Sequence, residues 1–139
     1  MTVRVPDPDT RDRSFMTQSY VVLGAYGGVG EALCRRLAAR GSRVLAAGRD
    51  ADRLARLATD IGAVALAFDA TSTGEVEGCL RRAVEMFGRL DGVANCVGSL
   101  LLKPAHATTD QEWSRVLTTN LGSAFAVVRA AGLVMAEHG

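Results

Sequence analysis

Short apolar runs alternate along the chain with longer segments whose apolar residues recur every three or four positions. Unbroken or alternating apolar runs predict strands, and the three-to-four spacing predicts amphipathic helices. On that basis Tyr20–Leu23 is a first strand and Gly28–Arg40 a first helix, with Gly41 placed to end it. Arg43–Ala47 is a second strand. Asp50–Ile61 is a second helix, apolar at Leu54, Leu57, Ala58 and Ile61, with Asp50 placed as its N-cap and Gly62 as its stop. Ala63–Phe68 is apolar throughout, so this third strand is expected to be covered on both faces. Thr71 or Ser72 opens a third helix that reaches Phe87 and stops at Gly88, and Leu90–Asn95 makes a fourth strand. Beyond a loop through Gly98 and Pro104, Thr109 and Glu112 form a capping box, and the last helix runs from Asp110 toward Glu137.

Four strands alternating with four helices imply the α/β class: a parallel sheet with helices on both faces and right-handed crossovers. In the Rossmann-like, doubly wound order 3-2-1-4-5-6 the elements present end with strand four and the helix after it, leaving strand four at an edge. The expected domains are residues 18–139, a partial Rossmann domain, preceded by a disordered tail over residues 1–17. That tail has two prolines, mixed Asp and Arg and no apolar period. Met16 stands just before the first strand, so either Met1 or Met16 could be the start.

The stretch from Val21 to Gly30 organises the rest. An apolar run ends in glycines at 24, 27, 28 and 30, and a helical pattern starts at once. Glycine lets the backbone turn sharply and lets a pyrophosphate approach the main chain, and the free N–H groups of the helix's first turn then point at it. Gly24, Gly28 and Gly30 give G-x-x-x-G-x-G, which resembles the short-chain dehydrogenase/reductase family. Gly24, Gly27 and Gly30 give the spacing of its extended and NmrA-like branches. Three further segments carry the resemblance. Phe68-Asp69-Ala70-Thr71 is similar to the family's Asp-Val-Thr element. Asn95-Cys96-Val97-Gly98 resembles its Asn-Asn-Ala-Gly, with Cys96 and Val97 as departures. Asp110 to Leu121 looks like its fifth-helix segment. The Asp69 and Asn95 elements favour the ordinary branch.

The resemblance implies a nicotinamide dinucleotide held by Gly24, Tyr26, Gly28, Val29 and Gly30. Asp69 would meet the adenine, Ala70 is implied among the cofactor-binding residues, and Asn95 and Gly98 would line the cofactor. Asn120 is the one catalytic residue it implies, its carbonyl fixing a water of a proton relay. Where a strand-end carboxylate would select NAD, Gly48 stands, and Arg49 after it suits the 2′-phosphate of NADP. Gly27 takes the place of a basic residue found in many NADP-preferring members, so NAD stays as the alternative. The family's Ser and Tyr-x-x-x-Lys do not occur: neither Tyr20 nor Tyr26 has a lysine four residues on. The expected function is therefore hydride transfer between NADP(H) and an unknown small carbonyl or alcohol. The chain carries the cofactor-binding part of that enzyme as an N-terminal fragment; the alternative is a non-catalytic dinucleotide-binding or scaffold protein.

Composition narrows the classes. A net charge of +1 gives no electrostatic case for nucleic acid or an anionic membrane, and no uninterrupted apolar run has membrane-spanning length. Cys34, Cys79 and Cys96 are odd in number and lack metal-like spacing, so reduced thiols in a cytoplasm and no metal are expected. His106 lies in a polar loop and His138 at the end of the last helix, so neither is placed as a general base. Phe125, Val128, Leu133, Val134 and Met135 lie among alanines with few charges, and in the resembled family this helix and the one before it meet a second subunit. A homo-oligomer is expected.

Overall fold

A computed structural model describes residues 17–138. The expected disordered tail, and with it the choice between Met1 and Met16, lies outside the described residues except for Thr17. The elements are β1 (Ser19–Leu23), α1 (Gly28–Ala39), β2 (Arg43–Gly48), α2 (Ala51–Ile61), β3 (Val64–Ala67), α3 (Thr73–Phe87), β4 (Gly92–Asn95), α4 (Asp110–Leu117) and α5 (Ser123–His138). One turn of π-helix, Thr118–Gly122, joins α4 to α5 so that the two form one rod. A 3-10 turn, Ala105–Ala107, precedes α4.

All strands are parallel and lie in the order β3-β2-β1-β4, the expected order. Successive side chains of a strand point to opposite faces, and the two inner strands divide their residues accordingly. Val21 and Leu23 of β1 and Leu45 and Ala47 of β2 join Val76, Leu80 and Ala83 of α3 and Ala126, Ala130 and Val134 of α5 in one core layer. Val22, Val44 and Ala46 face the other way, onto Cys34 of α1 and Leu54 and Leu57 of α2. Both layers are apolar because the central strands are buried on both faces.

The helix boundaries follow local chemistry. Asp50 and Ser72 accept hydrogen bonds from the N–H groups of Arg53 and Glu75, and the Thr109–Glu112 box is formed in both directions. Gly62 and Gly88 close α2 and α3 at φ +68° and +77°, a conformation that costs other residues steric strain. The fourth strand starts two residues later than the pattern suggests. Asp91 instead turns back, accepting from the Ser19 N–H at 2.8 Å and from the Arg89 guanidinium.

The expectation for β3 fails in part. Val64 and Leu66 pack on the α3–α5 layer, but Ala65 and Ala67 are exposed. In register with Ala46, Ala65 faces the α1–α2 side, where a short side chain on the outermost strand lies beyond the cover of α2. An unbroken apolar run made largely of alanine does not distinguish a central strand from an edge.

The rod also differs from the reading of apolar runs. By length and composition, Asp110–Glu137 could cross a membrane, and among the described residues it is the one helix that passes that test. Here its inner side is a packed face of the core, with Ser123, Ala126, Val127, Ala130 and Val134 buried.

Candidate functional site

Parallel strands bring their carboxyl ends to one rim, and the chain reverses direction across the sheet between β1 and β4, the place where open α/β sheets hold ligands. The turn after β1 is built there by main-chain contacts. Gly24 N–H and Ala25 N–H both donate to Ala47 O, at 2.9 and 3.1 Å, and Cys96 N–H donates to Leu23 O at 2.8 Å. The end of β4 therefore crosses directly over the turn. Gly24 has φ +73°, and a Cβ on it would lie 2.7 Å from Cys96 O and 2.9 Å from Val97 N. A Cβ on Gly30 would run into Gly24 O. These two glycines are required by the turn itself. Gly28 is different: it is exposed, and a Cβ on it would meet nothing within 4 Å.

The same turn leaves the start of α1 open. Gly27 is its N-cap and offers no side chain, whereas α2, α3 and α4 are each capped by an Asp, a Ser or a Thr. The first-turn N–H groups of α1 therefore keep their hydrogen-bonding capacity and the positive end of the helix dipole for an outside acceptor. Val29 stands exposed in that turn. Tyr26 is half-buried, its ring lying against Gly48 at the end of β2, and Arg49 is exposed beyond.

At the end of β3, Asp69 Oδ1 accepts from the Thr71 N–H at 2.9 Å and its hydroxyl at 2.8 Å. These two bonds, with the charge of Arg49, hold the Asp69 carboxyl below its ordinary range. Oδ2 takes part in neither bond. Ala70 is buried in the core beneath it. At the end of β4, Asn95 accepts from Val97 N–H at 3.1 Å through Oδ1 and donates through Nδ2 to Ser123 Oγ at 3.2 Å. Asn95 thus ties the sheet to the start of α5.

Asn120 lies in the π-helical turn. Its side chain clamps the loop after β4, with Oδ1 accepting from Ser99 N–H at 2.8 Å and Nδ2 donating to Ser99 O at 3.0 Å. Its carbonyl accepts from Ser123 Oγ at 3.4 Å. A Cβ on Gly98 would come within 3.2 Å of Asn120 Oδ1, so the small residue at 98 is what lets the clamp close. Between this loop and α4 opens a groove of about 480 Å³, lined by Leu100, Lys103, Trp113, Val116 and Asn120 among others.

All eleven residues singled out in the sequence lie at or beside this rim. They make two groups: Gly24, Tyr26, Gly28, Val29, Gly30, Arg49, Asp69 and Ala70 around the first three strand ends, and Asn95, Gly98 and Asn120 around the fourth. Ser123 and Ser99 escaped sequence reasoning. Ser123 had a signal, a lone hydroxyl three residues after Asn120 in an otherwise small and apolar run. Ser99 had none, because its backbone is what Asn120 uses.

No group of acids, histidines and cysteines able to hold a metal occurs among the described residues. Burial raises all three thiols, Cys34 to about 11 (helped by Cys96 and Glu31) and Cys79 to about 12. They stay protonated at neutral pH, which suits packing better than nucleophilic work.

A parallel sheet with a glycine turn at its switch point and an uncapped helix behind it defines a Rossmann-type α/β unit. The family profile described as short chain dehydrogenase matches residues 18–139, and the chain belongs to that family. A protein of Haemophilus influenzae named as a probable NADP-dependent dehydrogenase is 33% identical over 116 residues, covering 81% of this chain and 46% of that protein. A short-chain type dehydrogenase/reductase from Mycobacterium ulcerans superposes with a TM-score of 0.85 at 25% identity, over 91% of this chain and 49% of that one. A variant of actinorhodin polyketide ketoreductase, solved with NADPH, gives 0.80 at 26% identity, over 85% and 47%. The chain spans about half the length of the curated relatives it matches.

Proposed function

We propose that this chain carries the dinucleotide-binding elements of an NADP(H)-preferring oxidoreductase that moves hydride between the cofactor and a small carbonyl or alcohol. The observation that carries the reading is the uncapped start of α1 above the open Gly28, with exposed Arg49 at the neighbouring strand end. Donors without partners, a positive dipole end and space for a main-chain approach are what a pyrophosphate needs. The name of the Haemophilus influenzae relative and the NADPH in the ketoreductase structure support it. NAD is the alternative cofactor.

When bound, the nicotinamide supplies the hydride. The residues of the chain bind and orient. With Gly24 shaping the turn, the backbone of Tyr26, Gly28, Val29 and Gly30 would hold the pyrophosphate, and Arg49 the 2′-phosphate through its planar fork. Asp69 would accept from the adenine amino group at Oδ2, with Ala70 beneath the adenine site. Asn95 and Gly98 shape the far end of the cleft. Asn120, its side chain already committed to Ser99, would act through its carbonyl on a proton-relay water. A second copy of the chain is proposed to cover the outer face of the α4–α5 rod.

Replacing Arg49 with Ala tests the cofactor reading. The expected loss in NADPH binding is about 1–3 kcal/mol, the range for charge-assisted bonds, with NADH binding unchanged. Titration calorimetry with both cofactors measures it. Equal affinities for NADPH and NADH before and after the substitution would sink the reading.

A further inference from the structure

We propose that Tyr26 is a specificity-determining residue: its ring, covered by Arg53, fills the space above Gly48 and bars the strand-end side chain that would select NAD. The inference rests on the NADP reading above and concerns what enforces it.

Gly48 is the last residue of β2 and is buried. A Cβ built on it would lie 2.7 Å from Tyr26 Cε1 and 3.2 Å from Cδ1, well inside the roughly 3.5 Å at which carbons come to rest. An acid at the position that reads the ribose hydroxyls of NAD therefore has no room for even its first carbon. Such a clash is harmless if the neighbour can swing away. Tyr26 is held on several sides. Its ring packs on the core layer built from Val22, Leu54 and Leu57. The guanidinium carbon of Arg53 stands 4.7 Å from the ring centroid, and Nη2 of the same side chain donates to Tyr26 O at 2.9 Å. Arg53 is positioned in turn by the start of α2, where its N–H donates to Asp50 Oδ1 at 3.0 Å.

A closed chain of contacts results. The strand end (Gly48), the helix that begins soon after it (Asp50, Arg53) and the phosphate turn (Tyr26) fix one another. Gly48 brings no side chain of its own to the strand end, and the exposed residue that follows it, Arg49, is cationic. Turning the ring out to admit an acid at 48 would strip the Arg53 stack and wet the apolar layer beneath. Cofactor choice is thus written in a pair, Tyr26 with Gly48, and neither can change alone.

Two readouts test this. The first needs no cofactor: thermal unfolding of the wild type, Gly48→Ala, Tyr26→Ser and the double variant. Gly48→Ala should lower Tm by about 4 °C or more, the shift that corresponds to a modest packing defect in a chain of this size. In the Tyr26→Ser background the same substitution should cost little. Additive shifts would overturn the steric lock. The second readout is the Kd of NADPH and of NADH for Gly48→Asp and for Tyr26→Ser/Gly48→Asp. Gly48→Asp alone should weaken NADPH without tightening NADH. The double variant should tighten NADH by about tenfold, the effect of one charge-assisted bond. NADH tightening as much in Gly48→Asp alone would overturn the inference and leave the NADP reading standing. A wild type that binds both cofactors equally would instead overturn the NADP reading, while the unfolding cycle would still decide whether Tyr26 locks position 48.

Discussion

The turn after β1 and the α4–α5 rod sit on the same sheet and are built in opposite ways. At the turn the main chain does the work. Glycines let backbone meet backbone, as at Gly24 against Cys96 O, and beside the exposed Val29 the turn leaves polar groups open: the N–H groups of α1. On the rod the side chains do the work. Alanines, Val127 and Val134 fill the inner face, and what is left exposed is largely apolar, Leu117, Leu121, Phe125, Val128 and Leu133, with Arg115 and Arg129 among them. Among the described residues nothing covers either surface. The first calls for an anion, because free donors and a positive dipole end are satisfied only by acceptors. The second calls for another apolar surface, because contiguous apolar patches of this kind mark interaction sites. One short chain therefore presents two surfaces, and their chemistry separates what binds at each.

The sharpest way to break that contrast is at the glycines, because they divide into those that hold the turn and one that leaves room beside it. Gly24→Ala combines a positive φ with a Cβ 2.7 Å from Cys96 O, so a loss of about 2–4 kcal/mol in folding stability is expected. Gly28→Ala meets nothing within 4 Å and should leave stability within about 0.5 kcal/mol while weakening dinucleotide binding. Urea unfolding measures the first effect and calorimetry the second. Equal stability costs at 24 and 28 would mean that the turn has no space set aside for a ligand.

That division was invisible in the sequence, where four glycines look alike. Much else was legible. The helix caps at Asp50 and at Thr71 or Ser72 and the Thr109–Glu112 box follow from local hydrogen bonding, the elements from apolar period, and the strand order from the doubly wound rule for alternating strands and helices. What was not legible depends on distant parts of the chain. The exposure of Ala65 and Ala67 follows from β3 being outermost, and the stacking of Arg53 on Tyr26 joins positions 27 residues apart. The π-helical turn at Asn120 also breaks no apolar pattern. The resemblance pointed to Asn120 as a residue but the apolar pattern ran on through it as one helix, and the structure adds both the turn and the Ser99 clamp that it makes possible.

The rod gives the next largest effect. Phe125 is 62% exposed, so a polar substitution there removes little from the folded chain but much from an interface. Phe125→Glu should weaken self-association by about 1.5–3 kcal/mol, the worth of one large apolar side chain, with Tm in dilute solution nearly unchanged. Sedimentation of both proteins at micromolar concentration checks it. A wild type that sediments as a monodisperse monomer would show that the outer face of the rod does not pair with a second copy.

The smallest effect sharpens the comparison from the other side, because α4 begins in the manner that α1 does not. Glu112 accepts two contacts from Lys103 Nζ, at 2.9 and 2.8 Å, and closes back on the Thr109 N–H at 2.9 Å and its hydroxyl at 3.0 Å. The lysine first, then the Thr109 donors, pull the carboxyl from an ordinary 4.5 down to about 2. A carboxyl depressed in the folded state stabilises it above its unfolded pKa and loses that contribution as protons bind. The contribution of Glu112 should therefore be intact above pH 4.5 and fade between about 4.5 and 2. The group lies at the surface, so salt should diminish the effect. Glu112→Gln should lower Tm slightly at neutral pH and flatten the acid limb of the stability profile in that window. Carbon NMR of the Glu112 carboxyl reads the same event directly. A midpoint near 4.5 would mean that the Glu112 half of the box and its lysine do not hold in solution, leaving Thr109 alone to cap α4. The contrast between a helix start sealed by its own side chains and one held open for an anion would then rest on a single hydroxyl.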